Sequence, residues 1–238
     1  MSFEVHLDKI DKVYGETWAL KGVSATIQTG DRITIVGHNG AGKSTLLGLT
    51  ATLTNPTRGT ICYEIDGTVA KDRGQIRRHM SMLSHSPMLY ADLTARENLK
   101  FFAGLYGVST DHHGIDSRLE KVGMKAAGDT LFRACSRGMQ QRISFARAML
   151  GDPDLLLLDE PFSGLDKKGT ERLKNILMTE YRHGWLLVTH DLGQGYEMAN
   201  RLWIFKHGRL AHNLKKSELD FKEYVSLCEA NLPEEVLR

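Results

Sequence analysis

Apolar and polar positions alternate in residues 4–10 and 25–28, the pattern of half-buried strands. The turn Thr29-Gly30-Asp31 leads into the β-branched run 33–36, and these segments read together as antiparallel strands entering a loop. A further strand pair is expected near residues 59–63. The middle third then changes period. Thr94-Ala95-Arg96-Glu97 has the form of a capping box, and Leu99, Phe102 and Tyr106 recur behind it at helical spacing. The pattern stays helical to about residue 150. Residues 155–158 and 185–189 are continuously apolar, as strands of a parallel sheet are when both faces are buried. Residues 203–212 read as a hairpin around His207-Gly208, and the chain beyond about 213 as a short helical tail.

Between the strand run 33–36 and a helix-compatible segment 44–49 stands Gly37-His38-Asn39-Gly40-Ala41-Gly42-Lys43-Ser44, followed by Thr45. A glycine, four residues and Gly-Lys-Ser is the spacing of a loop that wraps phosphates. Its glycines let backbone amides approach an anion closely, Lys43 brings a point charge to the β and γ phosphates, and Ser44 is left to ligate Mg²⁺. The following helix turns its positive end toward the same phosphates. The expected ligands are therefore ATP and Mg²⁺.

Composition narrows the setting. At 238 residues, 41% hydrophobic and 25% charged, the chain suits one large α/β domain. A net charge of +2 gives no strong pull toward nucleic acid, and none is expected as a partner. No run approaches the roughly 18 apolar residues a membrane span needs, and the first residues begin no signal peptide, so a cytoplasmic location is expected. Cys62, Cys135 and Cys228 are odd in number and far apart, which suggests neither disulfides nor a zinc site.

A phosphate loop alone leaves the reaction open. The apolar strand 155–158 ends in Asp159-Glu160, and the end of a parallel strand beside the loop is where Mg²⁺ needs an acidic partner. Asp159 suits that role. Glu160, one residue on, can polarise a water toward the γ-phosphate, which is hydrolysis. Standing alone, such an acidic pair would equally be a solvated cap on a strand.

Three further segments carry a resemblance. Cys135-Ser136-Arg137-Gly138-Met139-Gln140-Gln141-Arg142 resembles the signature of ABC ATPases, just upstream of Asp159-Glu160-Pro161. Ser163-Gly164-Leu165-Asp166 matches the D-loop of that family, and His190 its switch histidine. Tyr14 stands at the position of the aromatic residue that stacks on adenine. The resemblance spans residues 5–209. It implies a P-loop NTPase core with an antiparallel β subdomain and an inserted α-helical subdomain: core at about 1–87 and 151–212, helices at 88–150, and a helical tail at 213–238. It also implies that two copies pack head to tail on ATP, with Ser136, Gly138 and Asp166 of one copy meeting the nucleotide held by the other.

The departures are informative. Arg137 replaces a glycine of the usual signature and Met139 a glutamine. Counting back from Leu93-Thr94, His85 stands where the family carries a glutamine that contacts Mg²⁺ and the attacking water. A neutral imidazole can also bind a metal or accept a hydrogen bond, which makes His85 a catalytic and metal candidate. The other reading is a surface loop residue with the alignment off by one. Residues 83–99 and the Ser-Arg-Gly-Met-Gln-Gln-Arg run are most similar to exporter ATPase subunits of the haem-exporter type. The expected function is thus an ATP-hydrolysing motor on the cytoplasmic face of a membrane, working through separate membrane-spanning chains. A soluble ABC protein acting on a macromolecular complex is the alternative, and a binding module with decayed activity is disfavoured by Lys43, Glu160 and His190 being present together.

Overall fold

The computed structural model describes residues 2–109 and 111–231. The chain opens with β1 (Phe3–Tyr14), β2 (Thr17–Ile27) and β3 (Arg32–Gly37), followed by α1 (Lys43–Thr50). Then come β4 (Arg58–Ile65), β5 (Thr68–Ala70), α2 (Arg73–Arg78) and β6 (Met80–Leu83). The helical stretch holds α3 (Ala95–Tyr106), α4 (His112–Lys121) and α5 (Arg137–Ala148), with two short 3₁₀ turns between α4 and α5. β7 (Leu155–Asp159), α6 (Lys167–Asn175), β8 (Gly184–Val188), α7 (Leu192–Met198), β9 (Arg201–Lys206), β10 (Arg209–Lys215) and α8 (Phe221–Asn231) complete the order.

Two sheets result. The first is antiparallel, in the order β2-β1-β4-β5; the second runs β10-β9-β3-β8-β7-β6. The run at 33–36, expected as one of a set of antiparallel strands, is corrected here: β3 lies parallel to both β8 and β9 in the second sheet. Alternation in the sequence reports burial of strand faces, whereas direction is set by the partner strands, which lie more than 140 residues away. The tail expected at 213–238 starts later, because β10 continues to Lys215 before the helix α8 begins, and residues 232–238 of it lie outside the described residues.

Both faces of the second sheet are covered, which is why β7 and β8 carry no alternation. Leu155 and Leu157 of β7, with Leu186 and Val188 of β8, join Leu46, Leu47, Ile35 and Phe205 on one face. Leu156 and Leu158, with Trp185 and Leu187, join Leu99, Ile143 and Phe145 on the other. Each fully buried leucine of this kind contributes about 1.5–3 kcal/mol. This double-sided core fixes β7 against β8 and so fixes the carboxylates at the end of β7. α3 begins at the expected capping box: Thr94 accepts from the backbone of Glu97, and Glu97 from that of Thr94. A third, smaller cluster seats Tyr224 and Cys228 of α8 against Val36, Leu202 and Ile204. No helix among the described residues is long and apolar enough to cross a membrane.

Candidate nucleotide site

β3 delivers the chain into the loop, and the loop delivers it into α1. At Gly37 a Cβ would lie 2.7 Å from the carbonyl oxygen of Phe205, so the start of the loop packs directly on β9. Gly42 is the residue before α1, at φ 98, and no side chain caps the helix. The first amides of α1 are thus left for an anion. Lys43 is buried and its Nζ donates to the carbonyls of Gly37 (2.6 Å) and His38 (3.0 Å).

A cleft of about 580 Å³ opens above this loop. Asn39, Gly40, Ala41, Gly42, Lys43, Ser44 and Thr45 form one wall; Asp159, Glu160, His190 and His85 face them. The cleft therefore unites groups from four separated segments of sequence. His85 is exposed on the loop after β6 and lines the same cleft as residues 39–45. Thr17, Trp18, Ala19 and Ser163 also line it and were not foreseen. Trp18 stands out because it is 45% exposed while Trp185 and Trp203 are fully buried. Trp18 is the second residue of β2, whose burial does not alternate, so the sequence gives no sign of which way it will face.

Other expected site residues lie outside this cleft. Tyr14 ends β1, is 51% exposed, and has the Lys12 ammonium 4.8 Å over its ring. The His38 ring turns aside to pack on His207, with centroids 4.9 Å apart, so only its backbone faces Lys43. Ser136 caps α5 by accepting from the Met139 amide at 3.3 Å, and Asp166 caps α6 by accepting from Gly169 at 2.7 Å. α5 accordingly starts at Arg137. A Cβ at Gly138 would lie 3.0 Å from the Gly164 carbonyl, and Arg137 reaches Ser163 Oγ at 3.3 Å. Residues 137–138 and 163–164 are thus packed together within one chain.

The carboxylates differ in environment. Asp159 is buried at the end of β7. Glu160 follows at φ 52, a conformation that strains a residue with a side chain. Gln141 helps hold it, donating to the carbonyls of Glu160 (3.2 Å) and Pro161 (2.9 Å). Burial, with Asp159 beside it, pushes the Glu160 carboxyl up to about 7. Its Oε1 lies 3.1 Å from His190 Nε2, whose imidazole is pushed down by burial and then by Lys43. Burial also lowers Lys43, opposed by Glu160 and then Asp159. A carboxyl poised near neutrality, against a neutral imidazole, is suited to accept a proton from water.

The raised carboxyl has a stability consequence. Glu160 binds its proton more tightly in the folded chain than in the unfolded one, so its contribution falls as pH rises from about 4.5 to about 7. The loss is of the order of 2 kcal/mol, after allowing for partial exposure to solvent. Glu160→Gln is therefore expected to gain stability over wild type as pH rises from 5 to 8, in EDTA without nucleotide. Urea unfolding at the two pH values checks this. An unchanging gap between the two proteins would place the carboxyl at its ordinary value.

Among the described residues no group of three or more His, Cys, Asp or Glu side chains is arranged to hold a metal by itself. Mg²⁺ is ordinarily held by one or two protein oxygens together with substrate phosphates. The Ser44 hydroxyl and the Asp159 carboxylate lie in one cleft beside the phosphate loop, where they could serve as such oxygens.

Residues 20–163 match the family model described as ABC transporter. The chain belongs to the ABC transporter family. It is an ATPase of the ATP-binding type. The aliphatic sulfonates import ATP-binding protein SsuB 1 of Pseudomonas aeruginosa is 34% identical over 221 residues, covering 89% of this chain and 85% of that protein. The Nod factor export ATP-binding protein I of Burkholderia lata is 32% identical, covering 88% of this chain and 72% of that protein. A dimeric structure of the ATP-binding cassette MJ0796, in a post-hydrolysis state bound to ADP and Pi, is similar with a TM-score of 0.76 and 28% identity. That likeness covers 89% of this chain and 98% of the other. The ABC ATPase fold is thereby shared.

Proposed function

We propose that this ABC ATPase is the motor subunit of an exporter, on the cytoplasmic face of a membrane, resembling the ATPase subunits of the haem-exporter type. Two copies close head to tail on ATP and drive separate membrane-spanning chains. The observation that carries the motor reading is the cleft that gathers Lys43, Ser44, Asp159, Glu160 and His190. Export is supported by the run at 136–142 and by the Nod factor relative, while the sulfonate relative is named for import.

In this mechanism the amides of residues 39–45 and Lys43 hold the β and γ phosphates, and Tyr14 stacks on adenine. Ser44 and Asp159 would hold Mg²⁺, and His85 would serve as a further ligand or as a partner of the attacking water. Mg²⁺ held there would supply charge neutralisation at the phosphates. Glu160 takes a proton from that water, His190 donates to the γ-phosphate side, and Ser136, Gly138 and Asp166 of the second copy close the site.

A patch next to the inserted helices suits the membrane partner. Tyr90, Phe101 and Tyr106 are each exposed by 42% or more, and Tyr90 meets Phe101 edge to face at 5.1 Å. Exposed aromatic clusters of this kind mark contact surfaces. The backbone of Tyr90 is anchored separately: Asn98, buried, accepts from its amide at 2.8 Å and donates to its carbonyl at 3.0 Å. Tyr90→Glu is therefore expected to leave the isolated chain folded, within about 1 kcal/mol, and to abolish co-purification with an integral membrane chain. Wild type that never fractionates with membranes would instead favour a soluble ABC protein acting on a macromolecular complex. Uptake into inverted vesicles, against uptake into right-side-out ones, separates export from import.

A further inference from the structure

The phosphate loop is held from its far side by the turn between β9 and β10. His38 makes the connection. Its Nε2 lies 3.3 Å from the backbone nitrogen of His207, and its Nδ1 lies 2.7 Å from the carbonyl oxygen of Asn39. A backbone N–H only donates and a carbonyl only accepts, so this geometry fits a neutral imidazole with its proton on Nδ1 and its Nε2 lone pair toward the turn.

The next residue of the turn completes the brace. The Gly208 amide donates to the Ala41 carbonyl at 3.2 Å, and the Gly208 carbonyl accepts from the Lys21 amide at 2.8 Å. Little slack remains, because a Cβ at Gly208 would lie 2.9 Å from the carbonyl oxygen of Ala19. Residues 38 and 41 thus hang on one turn, and Asn39 and Gly40 between them line the nucleotide cleft together with Ala41.

We propose that His38 is a positioning residue for nucleotide binding: by tying the loop to the His207-Gly208 turn, its imidazole sets the amides of residues 39–41 toward the phosphates before ATP arrives. The gain is preorganisation, since a loop already ordered loses less freedom on binding. This rests on the loop being the nucleotide site. A role in stability alone would leave affinity untouched.

Four substitutions separate the contacts. His38→Ala removes both. His38→Gln carries an amide to the position of Nε2 and restores the acceptor facing the turn. His38→Asn reaches only the position of Nδ1 and keeps the bond to Asn39. His207→Asn removes the second ring but keeps the backbone donor, and asparagine tolerates the φ of 48 at this position.

The measurements are the Kd of MgATP by calorimetry, KM and kcat, and the melting temperature without nucleotide. His38→Ala is expected to raise Kd and KM about fivefold, the scale of one or two lost hydrogen bonds, with a smaller change in kcat. His38→Gln should recover most of the affinity, His38→Asn less, and His207→Asn should stay within twofold of wild type. His38→Ala with Kd and KM within twofold of wild type overturns the proposal. So does a His38→Gln affinity no better than that of His38→Asn, a comparison that holds even if the alanine variant fails to fold. Lys43→Ala serves as the separate control. If it binds ATP like wild type, the loop is not the nucleotide site; if it loses ATP while the His38 variants keep it, only the brace is rejected.

Discussion

Glu160→Gln is expected to lower ATP turnover by about 10²–10⁴-fold, the range for removing a general base, while MgATP still binds. Lys43, Ser44 and Asp159 remain in place, and glutamine is close in shape to the carboxylate it replaces. It keeps a carbonyl oxygen to face His190 Nε2, now 3.1 Å from Oε1, but it cannot take a proton from water. ATP that binds without being hydrolysed holds the closed state, so an ATP-dependent dimer should accumulate. The related MJ0796 cassette is dimeric with hydrolysis products bound. Size-exclusion chromatography with and without ATP, together with steady-state turnover, checks both halves. A monomer in ATP with undiminished turnover removes Glu160 from the catalytic role.

Much of this site was legible in the sequence because it is local chemistry. The run from Gly37 to Ser44 states its own backbone needs, and the apolar strand ending in Asp159-Glu160 states where its carboxylates emerge. The box at Thr94 and Glu97 was equally local, and both of its hydrogen bonds are present. What failed depended on distant partners. The direction of β3 is decided by β8 and β9, and β6, only four residues long, acquires its strand character from pairing with β7. Side-chain direction was also invisible. His38 sits inside the phosphate-loop pattern, yet its ring faces a turn near residue 207, and Trp18 carries no motif although it lines the cleft. Ser136 and Asp166 show a further limit. Each caps its own helix, so their matches to the family pattern have a local structural use besides any contact made across a dimer.

The two inner glycines of the loop should respond very differently to a single methyl group. Both have positive φ, 80 at Gly40 and 98 at Gly42. Placing an alanine in such a conformation costs of the order of 1 kcal/mol or more at either position. At Gly40 nothing lies within 4 Å of the added Cβ, so strain is the whole effect, and a modest loss of affinity is expected. At Gly42 the same atom would sit 2.4 Å from the Ala19 carbonyl oxygen and 2.6 Å from Leu20 Cδ2. Leu20 is buried in the main core and Ala19 is fixed in β2, so neither can step aside cheaply. The loop must move instead, and with it the first amides of α1 and Lys43. Gly42→Ala is therefore expected to cost about 3 kcal/mol or more of stability and to abolish detectable ATP binding. Gly40→Ala should stay folded and bind ATP within about tenfold of wild type. Chemical denaturation and calorimetric titration of the two variants side by side give the comparison. Equal behaviour would mean that the close approach of β2 to the loop does not govern its shape.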